Sequence, residues 1–118
     1  MNRIELGRLG EKIAQKYLLS QGYIIKKTNY KNSYPEIDII AKDKAINIFV
    51  EVKTRIKSAE SLKEDPLKSW QVNTIKGAIK EYAFKYKLNF DLIRLDLIII
   101  LINPENRQAD LTHYKDIF

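Results

Sequence analysis

Asp38, Glu51 and Lys53 are the residues whose types and spacing suit chemistry. They fall on two apolar-alternating segments, Glu36 to Ala41 and Ile46 to Arg55, joined by Lys42-Asp43-Lys44-Ala45. A hairpin centred between Lys44 and Ala45 sets Asp38 directly opposite Glu51, with Cβ atoms about 4.5–5.5 Å apart. An odd-length loop would spoil that register. Opposed carboxylates repel unless a divalent cation or one shared proton offsets them. Lys53 lies two residues beyond Glu51, on the same face. Its compact ammonium can hold a scissile phosphate or help to activate a water. Phosphodiester hydrolysis needs this set, because charge develops on the phosphoryl oxygens and the leaving alkoxide. Glu51-Val52-Lys53 on its own reads as a solvated sheet face; the combination is what carries weight.

Two further polar residues sit on or beside apolar helical stripes. Glu11 flanks the stripe of a first helix, near Gly7, Ala14 and Leu18, and can supply another carboxylate to a metal. Gly7 and Gly10 leave room for close approach of backbone or substrate. Gln71 falls between Leu67, Ile75 and Ala78 on a second helix, where a buried amide must find a partner such as a neighbouring site. Arg55 follows Lys53 on its strand face and is suited to a substrate backbone.

The elements that must position these residues follow from periodicity. Asn2 to Ser20 reads as a helix with Leu6, Leu9, Ile13, Ala14 and Tyr17 on one face, ending at Gln21 with Gly22 as its cap. Tyr23 to Thr28 reads as a strand and Asn29 to Tyr34 as a polar turn. After the hairpin, Ile56 to Glu64 reads as a polar loop. Asp65-Pro66 starts the second helix, whose apolar face is Leu67, Ile75, Ala78, Ile79, Tyr82 and Tyr86. Leu92 to Ile102 is apolar enough for a central strand covered on both faces, and Ala109 to Tyr114 is a last strand. Arg94 and Asp96 read as an internal ion pair, and His113 and Tyr114 as structural. The expectation is an α/β domain over residues 1–118 with order α-β-β-β-α-β-β and a mixed sheet flanked by helices.

Composition narrows the chemistry. The chain has 118 residues, 21 basic against 15 acidic side chains, no cysteine and one histidine. Disulfides, thiolate sites and multi-histidine zinc sites are excluded, so a metal would sit on carboxylate oxygens, as magnesium or manganese does. The net charge of +6 suits a nucleic-acid partner. No apolar run is long enough for a membrane span. The first residues lack a signal-peptide segment, so a cytoplasmic protein is expected.

Together these residues resemble the PD-(D/E)XK nuclease signature. More closely, the full chain resembles the YraN family (UPF0102), small uncharacterised proteins regarded as distant relatives of archaeal Holliday-junction resolvases. The resemblance rests on Gly7, Gly10-Glu11 and Ala14; on Gly22-Tyr23 and Asn29-Tyr30; on Glu36-Ile37-Asp38-Ile39-Ile40-Ala41 and Phe49-Val50-Glu51-Val52-Lys53-Thr54-Arg55; and on Arg94-Leu95-Asp96 and Phe118. It implies a restriction-endonuclease-like core, with Asp38 and Glu51 as metal ligands, Lys53 as the catalytic lysine and Glu11 as the helix carboxylate. Two departures stand out: Pro35 where the family commonly has glycine, which a strand start tolerates, and Gln71 roughly where it tends to carry lysine. The expected activity is a magnesium- or manganese-dependent endonuclease recognising DNA shape, such as a branch, flap or end. A junction substrate would favour a two-fold homodimer. The alternatives are a non-catalytic nucleic-acid-binding or adaptor domain that keeps the fold, and a protein-interaction domain without salt-sensitive affinity for nucleic acid.

Overall fold

The computed structural model describes residues 1–65 and 69–117, and only the backbone of residues 69–71. The first helix, α1 (Arg3–Ser20), starts where Asn2 accepts a hydrogen bond from the Glu5 N–H at 2.9 Å. It ends where Gly22, at φ +88°, lets the Tyr23 N–H reach back to the Leu18 carbonyl. The strands are β1 (Ile24–Tyr30), β2 (Ile37–Asp43), β3 (Ile46–Ile56), β4 (Ile93–Ile102) and β5 (Ala109–Tyr114), and the further helices are α2 (Ala59–Lys63) and α3 (Ser69–Lys85). The five strands form one sheet in the order β1-β2-β3-β4-β5. All neighbours run antiparallel except β3 and β4, which are parallel and linked through α3. This mixed sheet flanked by helices is the restriction-endonuclease-like arrangement.

Strand alternation divides the core between the two sheet faces. Ile48 and Val50 pack with Ile39, Ile98, Ile100 and the α1 residues Ala14 and Leu18. Phe49 packs with Ile40, Leu95 and the α3 residues Ile75, Ala78, Ile79 and Tyr82. Burying each large side chain stabilises by roughly 1.5–3 kcal/mol. Ile37 departs from simple alternation: it joins Ile40 beneath α3 instead of Ile39 beneath α1.

Helix α1 settles on a different centre line from the one periodicity suggests. Its buried positions are Gly10, Ala14 and Leu18, with Leu6, Leu9, Ile13 and Tyr17 flanking them. The reason is close approach: a Cβ on Gly10 would overlap the Thr54 side chain on β3. The hairpin turn occupies Lys44-Ala45, and the pairs from Asp43–Ile46 to Ile39–Val50 hold the expected register.

Three boundaries differ from expectation. Asn29 and Tyr30 belong to β1 instead of a turn. The segment expected to be a polar loop contains α2, nucleated by a reciprocal cap in which Ser58 and Ser61 each bond the other's backbone N–H. Tyr86, expected on the apolar face of the second helix, is exposed and lies beneath the Lys27 ammonium, 4.0 Å from its ring centre. The expected helix start at Asp65-Pro66 runs into residues 66–68. Leu67, Phe118 and the Gln71 side chain lie outside the described residues.

Candidate metal and nuclease site

The site forms where β2 and β3 leave their ladder. The last backbone pair is Ile39 with Val50. One step further, the Val52 N–H donates to Asp38 Oδ2 at 2.8 Å, so a side chain takes the place of a strand partner. The register puts Glu51 across from Asp38, and the two carboxyls lie close enough for each to act on the other's charge. Glu51 Oε2 is buried and finds no hydrogen-bond partner among the described residues.

The electrostatics record crowded negative charge. Burial pushes Asp38 up to about 7; the Val52 hydrogen bond opposes this, and the charges of Glu11 and Glu36 add to it. Burial likewise pushes Glu51 up to about 8, helped by Asp38 and Glu11 and opposed by the Lys53 ammonium. The two carboxyls titrate as a pair. At neutral pH they share protons, because burial and the neighbouring acids outweigh the single Lys53 ammonium.

Glu11 comes from α1 and reaches the same place. Carboxylate oxygens of Glu11, Glu36 and Asp38 lie within 4.8 Å of one another, a spacing that suits a common cation. Asn29 holds two of them: its Nδ2 donates to Glu11 Oε1 at 2.9 Å and to Glu36 Oε1 at 2.7 Å. Asn29 sits at φ +49°, a conformation asparagine tolerates better than most residues. Glu36 follows a loop clasped to α3, where Ser33 N–H bonds Glu81 and the Tyr34 ring lies against Gly77.

The structure therefore gathers Glu11, Asp38 and Glu51, all anticipated from the sequence, and adds Glu36 and Asn29, which were not assigned a role. Lys53 is nearly buried and close enough to Glu51 to favour its charged form. Arg55 turns its guanidinium to Glu64, with Nε–Oε2 at 3.1 Å, and its Nη1 to the Thr54 carbonyl. That pair is half-exposed, a setting worth at most about 1 kcal/mol, so Arg55 can exchange partners cheaply.

A groove of about 440 Å3 opens beside these carboxylates, lined by Arg3, Ile4, Gly7, Arg8, Glu11, Asn29 and Glu36. An adjoining one of about 360 Å3 runs past Arg3, Glu11, Val52 and Thr54 to Arg55. Acidic groups thus meet a groove with arginines on its walls. Arg3 and Arg8 were read only as part of a polar helix face; a sequence gives no sign that such a face borders a groove.

All-oxygen, carboxylate-rich donors fit magnesium or manganese. The raised carboxyls and the unpartnered Glu51 oxygen point the same way, since a cation would satisfy both.

Asp96, expected in an ion pair, has one. Arg94 Nε donates to its Oδ1 at 2.8 Å and Arg94 Nη2 to its Oδ2 at 2.9 Å. His113 Nε2 lies 2.7 Å from Asp96 Oδ2, and its Nδ1 lies 2.9 Å from the Tyr17 hydroxyl. This network ties β4, β5 and α1 together under the helix.

Comparison with known proteins gives a consistent result. The family model described as "Uncharacterised protein family UPF0102" matches residues 10–100. A UPF0102 protein of Dictyoglomus turgidum is 36% identical over 118 residues, covering all of both chains. One from Caldicellulosiruptor bescii is 37% identical over 120 residues, again covering both fully. One from Thermodesulfovibrio yellowstonii is 38% identical over 104 residues, which is 81% of this chain and 89% of the relative. Among the described residues, no helix is long and apolar enough to cross a membrane.

Proposed function

The chain belongs to the UPF0102 family, and on that premise we propose that it is a magnesium- or manganese-dependent endonuclease acting on structured DNA. The observation that carries this reading is the facing Asp38–Glu51 pair, with both carboxyls raised by burial and further acids from Glu11 and Glu36 beside them. Buried, uncompensated acidic groups are costly and collect at functional sites.

Asp38, Glu51 and Glu11 would hold the cation, with Glu36 within reach of the same position. The bound ion would neutralise charge on the scissile phosphate and lower the pKa of water. Lys53 places its ammonium beside Glu51, where it can hold a phosphoryl oxygen or orient the attacking water. Arg3, Arg8 and Arg55, along the adjoining grooves, offer guanidinium groups to backbone phosphates. Contacts to backbone phosphates fix position without reading bases, which favours recognition of DNA shape: a branch, a flap or an end. Symmetric cutting of a junction would call for a two-fold dimer.

The test is cleavage of plasmid and branched DNA with manganese, alongside direct measurement of manganese binding. The wild-type chain should cut at least one substrate, and Asp38→Ala and Glu51→Ala should abolish cutting. Salt-sensitive DNA binding without metal, with no substrate cut, would replace this reading with an adaptor domain.

A further inference from the structure

On the far side of the sheet from α1, helix α3 and the 3-10 turn after it each turn a phenylalanine to solvent. Phe84 is 83% exposed, and Phe90, in the 3-10 turn before β4, is 59% exposed. Neither serves the core, and neither borders the carboxylates. Lys80 is exposed one helical turn before Phe84, on the same side of α3. Phe90 forms one wall of a shallow groove of about 170 Å3, with Ile79 and Ile93 as its apolar lining and Lys76 and Lys80 beside it. Residues 76–91 carry four lysines and two acids, Glu81, which bonds the Ser33 N–H, and the exposed Asp91 next to Phe90.

We infer that this lysine-flanked face of Phe84 and Phe90 is a landing surface for an unpaired strand of nucleic acid. Charge complementarity selects the occupant. A polyanion is drawn to the lysines, whereas a two-fold contact between copies of this chain would oppose them to one another. Exposed rings stack on bases whose faces are open, and duplex bases hide theirs in the helix. Ile93 pairs with Asn47, four residues before Glu51 on β3 and about 13 Å away along the strand. The start of β4 beneath this face thus belongs to the same sheet as the proposed cutting site. The inference deepens the nuclease reading by naming the unpaired segment of its substrate.

The test is fluorescence anisotropy of the full chain with a labelled single-stranded oligonucleotide and with the same sequence as duplex, in EDTA. Phe84→Ala and Phe90→Ala should each weaken single-strand binding by about tenfold and change duplex binding by less than about twofold. Lys80→Gln should weaken both and lower the single-strand salt slope by about 0.7. Both rings lie outside the core, so melting temperatures should stay within about 2 °C of wild type. Unchanged single-strand affinity in the double Phe variant overturns the inference, as does a wild-type chain that binds no single strand. Loss of a dimer in sedimentation with DNA affinity intact would reassign the face to a second copy of the chain. The readout is binding alone: loss in the Phe variants upholds this surface even if no DNA is cut, and cutting without that loss upholds only the nuclease.

Discussion

The side chain of Asp38 bonds the backbone of Val52 at the point where β2 and β3 part, 2.8 Å from Oδ2 to the amide nitrogen. One carboxylate thus closes the end of a ladder and faces Glu51 across the opening. The arrangement sacrifices stability at the pH where the site would work. In the folded chain the pair takes up protons at about 7 and about 8, whereas unfolded carboxyls do so near pH ~4. Between those limits the folded state holds the extra protons, so metal-free stability falls as pH rises from about 4 to about 8. Asp38→Asn keeps an acceptor for Val52 and removes the charge. Its melting temperature should exceed wild type by about 5 °C or more at pH 8 and differ little at pH 5. Wild-type melting that climbs between pH 5 and 8 without metal would contradict the assignment.

Asn29 organises the helix carboxylate and the loop carboxylate through one amide. Replacing it with glycine removes the amide while accommodating φ +49°. Manganese affinity, measured by calorimetry or by the free-ion electron paramagnetic resonance signal, should drop about tenfold, the usual scale for losing an outer partner of a metal ligand. Equal affinity in Asn29→Gly and wild type would reduce this amide to a loop fastening.

Gly10 is where α1 touches β3. Alanine there would drive its methyl into the Thr54 side chain, forcing helix and sheet apart. Gly10→Ala should lose about 2–3 kcal/mol in urea unfolding, as overpacked cores do. Thr54→Ala added to it should recover part of that loss, because it removes the closest of the clashing atoms. Additive losses in the double variant would mean that the helix can lift away freely.

Asp96 is wholly buried and answers to Arg94, His113 and the Asp116 N–H. Burial alone would raise its carboxyl, but these hydrogen bonds outweigh burial and hold it below the usual range. Its contribution is therefore present above about pH 4 and lost as acid protonates it in the fold, opposite in sign to the Asp38–Glu51 pair. Asp96→Ala should cost about 3–5 kcal/mol at neutral pH by stranding the Arg94 charge, measured by urea unfolding. If the variant still folds, manganese affinity should be unchanged.

The sequence was readable wherever period and loop length carried the information. A two-residue turn at Lys44-Ala45 keeps the register even, so Asp38, Glu51 and Lys53 could be set side by side from spacing alone. The Arg94–Asp96 pair followed from an i, i+2 relation on one strand. Asn29 escaped because its role depends on one left-handed backbone angle, which no periodicity reveals. Glu36 opens the segment read as a strand, on the face of Asp38, but no partner across the hairpin marked it as a ligand; its link to Glu11 runs through Asn29. The helical face was displaced by Gly10, since hydrophobic stripes weight large residues and the closest approach selects small ones. Helix α2 is five residues long, too short to show a period, and its Ser58–Ser61 cap lacks the acidic partner that makes such caps recognisable.

The Lys44-Ala45 turn has a further consequence. It lies six residues from Asp38, about 20 Å along the strand, beyond the reach of anything bound at the carboxylates. Yet a single residue gained there through insertion would rotate one strand's acids to the wrong side while leaving every ligand in the sequence intact. Descendants of such a chain would retain the motif as text and lose the geometry it encodes.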